Sequence, residues 1–107
     1  MVKTIDEVLK LTNEYVYEAN RFFYIKEAYL FGSYAKGTPN EYSDIDVALV
    51  SPDFKYIPTD MSLKLLFRLA GTISTYIEPV VLTEEEIKHP LPGSIAYDIA
   101  KEGKKIQ

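Results

Sequence analysis

The stretch GSYAKGTPNEYSDIDVALV, residues 32–50, contains two aspartates inside a run that otherwise predicts a buried strand. Ile45 and residues 47–50 are apolar, which is typical of such a strand, yet Asp44 and Asp46 alternate with them. A buried carboxylate without a partner is costly, and two carboxylates on one strand also repel each other. We therefore expect a positively charged group between the two side chains.

Composition limits the classes of function that the chain can have. Its 107 residues predict a single domain spanning residues 1–107, and 47% hydrophobic with 26% charged residues is ordinary for a globular protein. The net charge of -4 argues against a basic surface that grips nucleic acid. The absence of cysteine excludes disulfides and thiolate metal sites and fits a reducing compartment. No apolar run predicts a membrane span and no signal-peptide pattern is present, so we predict a cytoplasmic protein.

Hydrophobic spacing and capping residues predict the order of elements. A capping box at Thr4 and a Pro-Thr-Asp sequence before residue 61 begin two amphipathic helices, and Thr83 begins a short one. Besides the short helix that begins at Thr83, the predicted helices cover residues 5–22, 61–74 and 95–101, and the predicted strands cover residues 27–31, 43–50 and 76–82. In the second helix, we expect Leu63, Leu66, Phe67 and Ala70 to face inward. This order predicts an α/β (α+β) fold, with a small mixed sheet and flanking helices.

Three acidic residues form the predicted catalytic and metal-binding set. Side chains two apart on a strand point to the same face, with Cα atoms about 6.5 Å apart, so Asp44 and Asp46 should project together. Glu78 is the only acid within residues 76–82 and is the best candidate for a third ligand. Oxygen ligands without Cys or His suit Mg²⁺, with Mn²⁺ also possible. Three carboxylates can hold two such ions about 3.5–4 Å apart, as in phosphoryl transfer.

The connection before these aspartates predicts a phosphate-binding turn. If Ser33–Lys36 forms a helical turn closed by Gly37, its free N–H groups point at an anion. Gly32 permits close approach of a phosphate, the Ser33 hydroxyl can donate a hydrogen bond to it, and Lys36 adds positive charge. A metal-bound triphosphate would then lie between this turn and the aspartates.

The spacing of these residues resembles a known family motif. Gly32-Ser33, ten residues, and Asp44-x-Asp46 are similar to the G-S-x10-D-x-D motif of the DNA polymerase β-like nucleotidyltransferase superfamily. The short chain resembles its minimal nucleotidyltransferase (MNT) branch, which includes the MntA-type antitoxins of HEPN–MNT toxin–antitoxin pairs. The resemblance implies that both aspartates bind both metals, and that Gly32 and Ser33 hold the terminal phosphates of ATP. One departure is Glu78 followed by Pro, where the family often has Asp.

The resemblance also implies a reaction and a partner. The reaction is Mg²⁺-dependent transfer of AMP from ATP to a hydroxyl, most simply a tyrosine of a cognate HEPN-domain toxin. One alternative is a catalytic subunit whose small-molecule or RNA acceptor is bound by a separate subunit. Another is a non-catalytic antitoxin that blocks its partner sterically. Tyr34, Tyr42 and Phe54 are expected on loops near the motif as interface anchors, and His89 as a plain surface residue.

Overall fold

Helices and strands follow one another along residues 2–107, the part of the chain that the computed structural model describes. The helices are α1 (Ile5–Ala19), α2 (Ser33–Lys36), α3 (Thr59–Gly71), α4 (Glu84–Lys88) and α5 (Ile95–Glu102). The strands are β1 (Glu27–Phe31), β2 (Ile45–Val50), β3 (Ile77–Leu82) and β4 (Lys104–Lys105), and a 3₁₀ turn covers Pro52–Lys55. No helix in residues 2–107 combines the length and the apolar character needed to cross a bilayer.

The four strands form one sheet in the order β3-β2-β1-β4. The sheet is mixed, as the sequence predicts. Strand β1 is antiparallel to β2 and β4, whereas β2 and β3 are parallel. The register places Asp46 opposite Phe31 on one side and opposite Glu78 on the other. The end of β1 and the starts of β2 and β3 therefore meet at one end of the sheet.

Helices cover both faces of the sheet, and the alternation along β2 decides which side chain meets which helix. Ile45, Val47 and Leu49 are buried with residues of α1 and α3. Ala48 and Val50 are buried on the other face with residues of α4 and α5. Because strand side chains alternate, Asp46 lies on the same face of β2 as Ala48 and Val50. It is at the start of the strand, where the helices no longer cover that face.

Helix α1 begins as predicted and ends earlier than predicted. The Thr4 hydroxyl accepts a hydrogen bond from the Glu7 amide at 3.1 Å. The helix stops at Ala19 rather than at residue 22, because the Asn20 side-chain amide donates to the Val16 carbonyl at 3.0 Å and the chain turns there. This turn brings the chain into β1.

Helix α3 differs from its prediction in both its limits and its inner face. It runs from Thr59, with Pro58 at its N-cap, to Gly71 rather than over residues 61–74. Its buried positions are Ser62, Leu66 and Ala70, which are spaced four apart. Phe67 was predicted to face inward, which is wrong: it lies one residue further round the helix and is 47% exposed. Leu63 is only half-buried.

Candidate active site

The three predicted acidic residues lie at the same end of the sheet. Strand β2 begins at Ile45 rather than at Ser43, so Asp44 precedes the strand and Asp46 is its second residue. Glu78 is the second residue of β3 and pairs directly with Asp46. Asp44 and Glu78 are exposed, whereas Asp46 is half-buried. Two neighbouring parallel strands therefore gather the three carboxylates.

The carboxylates act on one another electrostatically. Burial raises the pKa of Asp46 to about 6, and the negative charges of Glu78 and Asp44 add to this effect. The pKa of Glu78 is raised first by a hydrogen bond with Asp44, then by partial burial and by the charge of Asp44. The ion pairs within residues 2–107 join other partners, so no Lys or Arg in that range neutralises this cluster. A cation from outside the protein would therefore balance the negative charge of these carboxylates.

The donor set fits a hard divalent cation, although it is not arranged as a finished metal cage. Carboxylate oxygens are the ligands that Mg²⁺ and Mn²⁺ prefer. Within residues 2–107, no three His, Cys, Asp or Glu side chains stand ready around a single ion. Asp44 and Glu78 instead lie close enough together for Asp44 to raise the pKa of Glu78. Because both are exposed, a cation can reach them from solvent.

Gly32 lies against the most buried of these carboxylates. It connects β1 to α2 with φ 74° and ψ -153°, a conformation that is essentially restricted to glycine. A Cβ atom placed on Gly32 would overlap Oδ2 of Asp46. The missing side chain therefore makes room for the Asp46 carboxylate, and it leaves the backbone of the Gly32–Ser33 connection directly beside that group.

The turn after Gly32 has the predicted form. Ser33–Lys36 is the short helix α2, and Gly37 closes it in the left-handed conformation with φ 76°. The Ser33 carbonyl accepts from the Thr38 amide at 3.0 Å. Lys36 is exposed, and its Nζ lies 3.6 Å from Oε2 of Glu102 in α5. Its charge is thus shared with an acid outside the predicted site.

Two of the three aromatic side chains predicted as interface anchors are buried, so the prediction is wrong for them. Tyr34 is 6% exposed and Phe54 is 7% exposed, so neither is available to a partner. The Tyr34 hydroxyl accepts from the Lys3 amide at 3.4 Å. Phe54 follows β2 at the far end of the sheet and packs on Phe23, with ring centroids 5.2 Å apart. Tyr42 is 82% exposed and precedes Asp44 by two residues.

The sequence did not indicate a groove that borders the acidic cluster. It has a volume of about 310 Å³ and lies between the end of α3 and the start of β3. Asp44 and Glu78 form one side of it, and Phe67 and Tyr76 contribute aromatic rings. The sequence feature that could have indicated this groove is Phe67. It is a large apolar residue of α3 that does not follow the four-residue spacing of the buried residues of that helix. His89 is exposed at the end of α4, as predicted.

The pKa of Asp46 leads to a prediction about stability and pH. The pKa rises from 3.8 to about 6 on folding, so the folded state binds this proton more tightly than the unfolded state. The associated stability is present below about pH 4 and is lost as the pH rises through 6. Between pH 4 and pH 7, the free energy of unfolding of the wild type should fall by about 1–3 kcal/mol relative to that of Asp46→Asn. Urea unfolding of both proteins in EDTA measures this difference, and parallel stability curves would contradict it.

Comparison with known proteins gives the same family as the motif. Residues 12–106 match the nucleotidyltransferase domain family. A "putative protein adenylyltransferase" of Methanocaldococcus jannaschii is 36% identical over 83 residues, which are 77% of this chain and 78% of that protein.

Solved structures share the fold. A "putative nucleotidyltransferase" of Sulfolobus solfataricus superposes with a TM-score of 0.65 at 26% identity, over 98% of this chain and 87% of its own. A mutant MntA–HepT toxin–antitoxin has a TM-score of 0.59 at 20% identity, over 98% of this chain and 73% of that one. A toxin–antitoxin with AMP-PNP has a TM-score of 0.59 at 22% identity, over 88% of this chain and 71% of that one. The last two show the fold alone. The structural neighbours confirm the predicted fold class. The family match and the curated relative show that the chain belongs to the nucleotidyltransferase domain family.

Proposed function

We propose that this nucleotidyltransferase moves AMP from ATP to a tyrosine hydroxyl of a HEPN-domain toxin and so acts as its antitoxin. The observation that carries the proposal is the gathering of Asp44, Asp46 and Glu78 beside the Gly32–Ser33 connection. The relative described as a "putative protein adenylyltransferase" supports protein as the acceptor. The two toxin–antitoxin structures of the same fold support a toxin as the partner.

In this proposal, the chain holds ATP from two sides. The Gly32 backbone and the Ser33 hydroxyl take the terminal phosphates, because the turn there allows close approach without a side chain in the way. Lys36 contributes less, since its charge is shared with Glu102. Asp44 and Asp46 hold two Mg²⁺ ions, or Mn²⁺, with Glu78 as a third ligand. When bound, these ions neutralise phosphate charge and stabilise the attacking and leaving oxygens.

The transfer forms one bond and breaks one. The tyrosine oxygen bonds to the α-phosphorus of ATP, and the bond from that phosphorus to the oxygen bridging to the β-phosphate breaks. Pyrophosphate leaves with the electron pair of that bond. The phenolic proton passes to Glu78, the exposed carboxylate on the edge strand, and from there to water.

Glu78→Gln tests the third carboxylate. We expect AMP transfer to fall by about 10²–10⁴-fold, because the variant loses a ligand and a proton acceptor. Binding of Mg²⁺–ATP should change by less than about tenfold, since Gly32, Ser33 and the two aspartates still hold the nucleotide. Label transfer and calorimetric titration measure the two effects. Asp60→Asn, at the exposed start of α3, is the matched control. Full transfer by Glu78→Gln would mean that another group is the third carboxylate.

The function itself is tested by incubating the protein with α-labelled ATP, Mg²⁺ and the product of the adjoining gene, followed by mass spectrometry. The proposal predicts one or more AMP units on a tyrosine of that product. Label on a small molecule or on RNA would instead support a catalytic subunit with a separate acceptor-binding subunit. A complex that forms and protects cells equally well with the Asp44→Asn, Asp46→Asn double variant would favour steric inhibition and overturn the enzymatic antitoxin.

A further inference from the structure

We propose that the groove beside Glu78 seats the acceptor tyrosine of the partner protein and determines which side chain is modified. This acceptor groove is the cavity between α3 and β3, and it is lined, besides the acids, by Phe67, Ala70, Gly71, Ser74, Thr75, Tyr76 and Ile77. The proposal rests on the AMP transfer proposed above, and it adds the place and the residues that select the acceptor.

The position of the groove in the sheet suits an acceptor. Glu78 lies on the edge strand β3, Asp46 lies on β2, and Gly32 follows β1, so the acids stand between the groove and the Gly32–Ser33 connection. In-line displacement at phosphorus needs the attacking oxygen on the side opposite to the leaving group. If pyrophosphate leaves at Ser33, the acceptor hydroxyl must approach from the side of β3. The acceptor groove lies on that side, because residues 76–78 line it.

The walls of the groove suit a phenol ring. Phe67 and Tyr76 are 47% and 41% exposed, so each presents ring surface to an incoming side chain. Aromatic rings pack favourably on one another, and the small residues between them leave space for a flat group. The Lys3 Nζ lies 3.8 Å from the centre of the Tyr76 ring and holds the ring through a cation–π contact. A phenol can cover these walls while its hydroxyl reaches toward Glu78, whereas the short side chain of serine cannot do both.

Gly71 lines the groove at the end of α3. It is the last residue of α3 and is not among the glycines with positive φ, so the backbone there does not require glycine. Glycine in a helix costs about 1 kcal/mol relative to alanine. A Cβ atom placed on Gly71 meets no atom within 4 Å. A larger side chain at this position should therefore fold normally and project into the open space of the groove.

The test combines an acceptor probe with variants that fill the groove. The ¹⁵N-labelled protein, with Mg²⁺ and a non-hydrolysable ATP analogue, is titrated with N-acetyl-tyrosinamide. Saturable shifts are expected in the amide resonances of residues 67–78, and N-acetyl-serinamide should produce none. Gly71→Met and Thr75→Met should weaken tyrosinamide binding by about tenfold or more and leave binding of the ATP analogue unchanged. Lys64→Met, exposed on α3 outside the groove, should bind both as the wild type does.

The outcomes separate this proposal from the function on which it rests. Shifts that map outside residues 67–78, or equal tyrosinamide binding by the wild type and both filled variants, would overturn the acceptor groove. So would equal AMP transfer to the partner protein by the wild type and both variants, in which case the function would stand. No AMP transfer by the wild type to any protein would instead overturn the function. The amide spectrum of each variant shows whether it is folded, and Thr75→Met lies outside the helices and strands.

Discussion

Asp44→Asn and Asp46→Asn are each expected to lower AMP transfer by about a thousandfold or more while the protein stays folded. A carboxamide keeps the size of the side chain but loses the negative charge that holds a divalent cation. Metal ions contribute several kcal/mol of charge stabilisation in phosphoryl transfer, and each 1.4 kcal/mol is about a factor of ten in rate. Stability should rise rather than fall, because each change removes repulsion among three neighbouring carboxylates.

This expectation is measured by label transfer and by thermal melting of the same preparations, with and without Mg²⁺–ATP. The wild type should be stabilised by Mg²⁺–ATP, and the two variants should not be. Asp60→Asn removes an exposed acid at the start of α3 and should behave as the wild type. An unchanged rate in either Asp44→Asn or Asp46→Asn would end the two-metal proposal.

Gly32→Ala is expected to have the second largest effect, and it should act on both stability and transfer. An alanine at φ 74° and ψ -153° is strained by about 1–3 kcal/mol, and its Cβ collides with Oδ2 of Asp46. The collision must displace either the Asp46 carboxylate or the Gly32–Ser33 connection. Both hold the nucleotide in the proposed mechanism, so transfer should fall by at least about a hundredfold.

Gly37 provides the matched control for this prediction. Its φ is 76°, close to that of Gly32, but a Cβ atom placed on it meets nothing within 4 Å. Gly37→Ala should lose about 1 kcal/mol through backbone strain and keep most of the transfer activity. Urea unfolding and label transfer on the two variants separate strain from collision. If both variants lose activity equally, the contact between Gly32 and Asp46 has no catalytic importance.

The sequence predicted the features that depend on local chemistry. The turn closed by Gly37 follows from the freedom of glycine at positive φ, and the structure has it at the predicted residues. The alternation of Ile45, Val47 and Leu49 with the aspartates predicts that these three side chains face the core, and they are buried with residues of α1 and α3. The pattern does not predict that the other face of β2 is buried as well, at residues 48 and 50. Glu78 was singled out as an acid in an apolar strand, and its pairing with Asp46 explains its position.

Features that depend on tertiary packing were not predictable in this way. Tyr34 lies in the one-turn helix α2 and Phe54 in the 3₁₀ turn after β2, and in such short segments the local pattern does not determine whether a side chain is exposed. Strand β4 consists of two lysines and forms through backbone pairing with β1, which leaves no hydrophobic pattern. The acceptor groove joins the end of α3 to the start of β3, and its shape depends on the outward position of Phe67.

In the proposed function, Asp44, Asp46 and Glu78 form the metal centre of a nucleotidyltransferase. The most direct test is electron paramagnetic resonance of Mn²⁺ titrated into the protein with a non-hydrolysable ATP analogue, compared with the analogue alone. We predict that the wild type binds about two Mn²⁺ per chain and that the Asp44→Asn, Asp46→Asn double variant binds none beyond the analogue alone. Equal Mn²⁺ binding by both proteins would show that the two aspartates do not hold the metal ions.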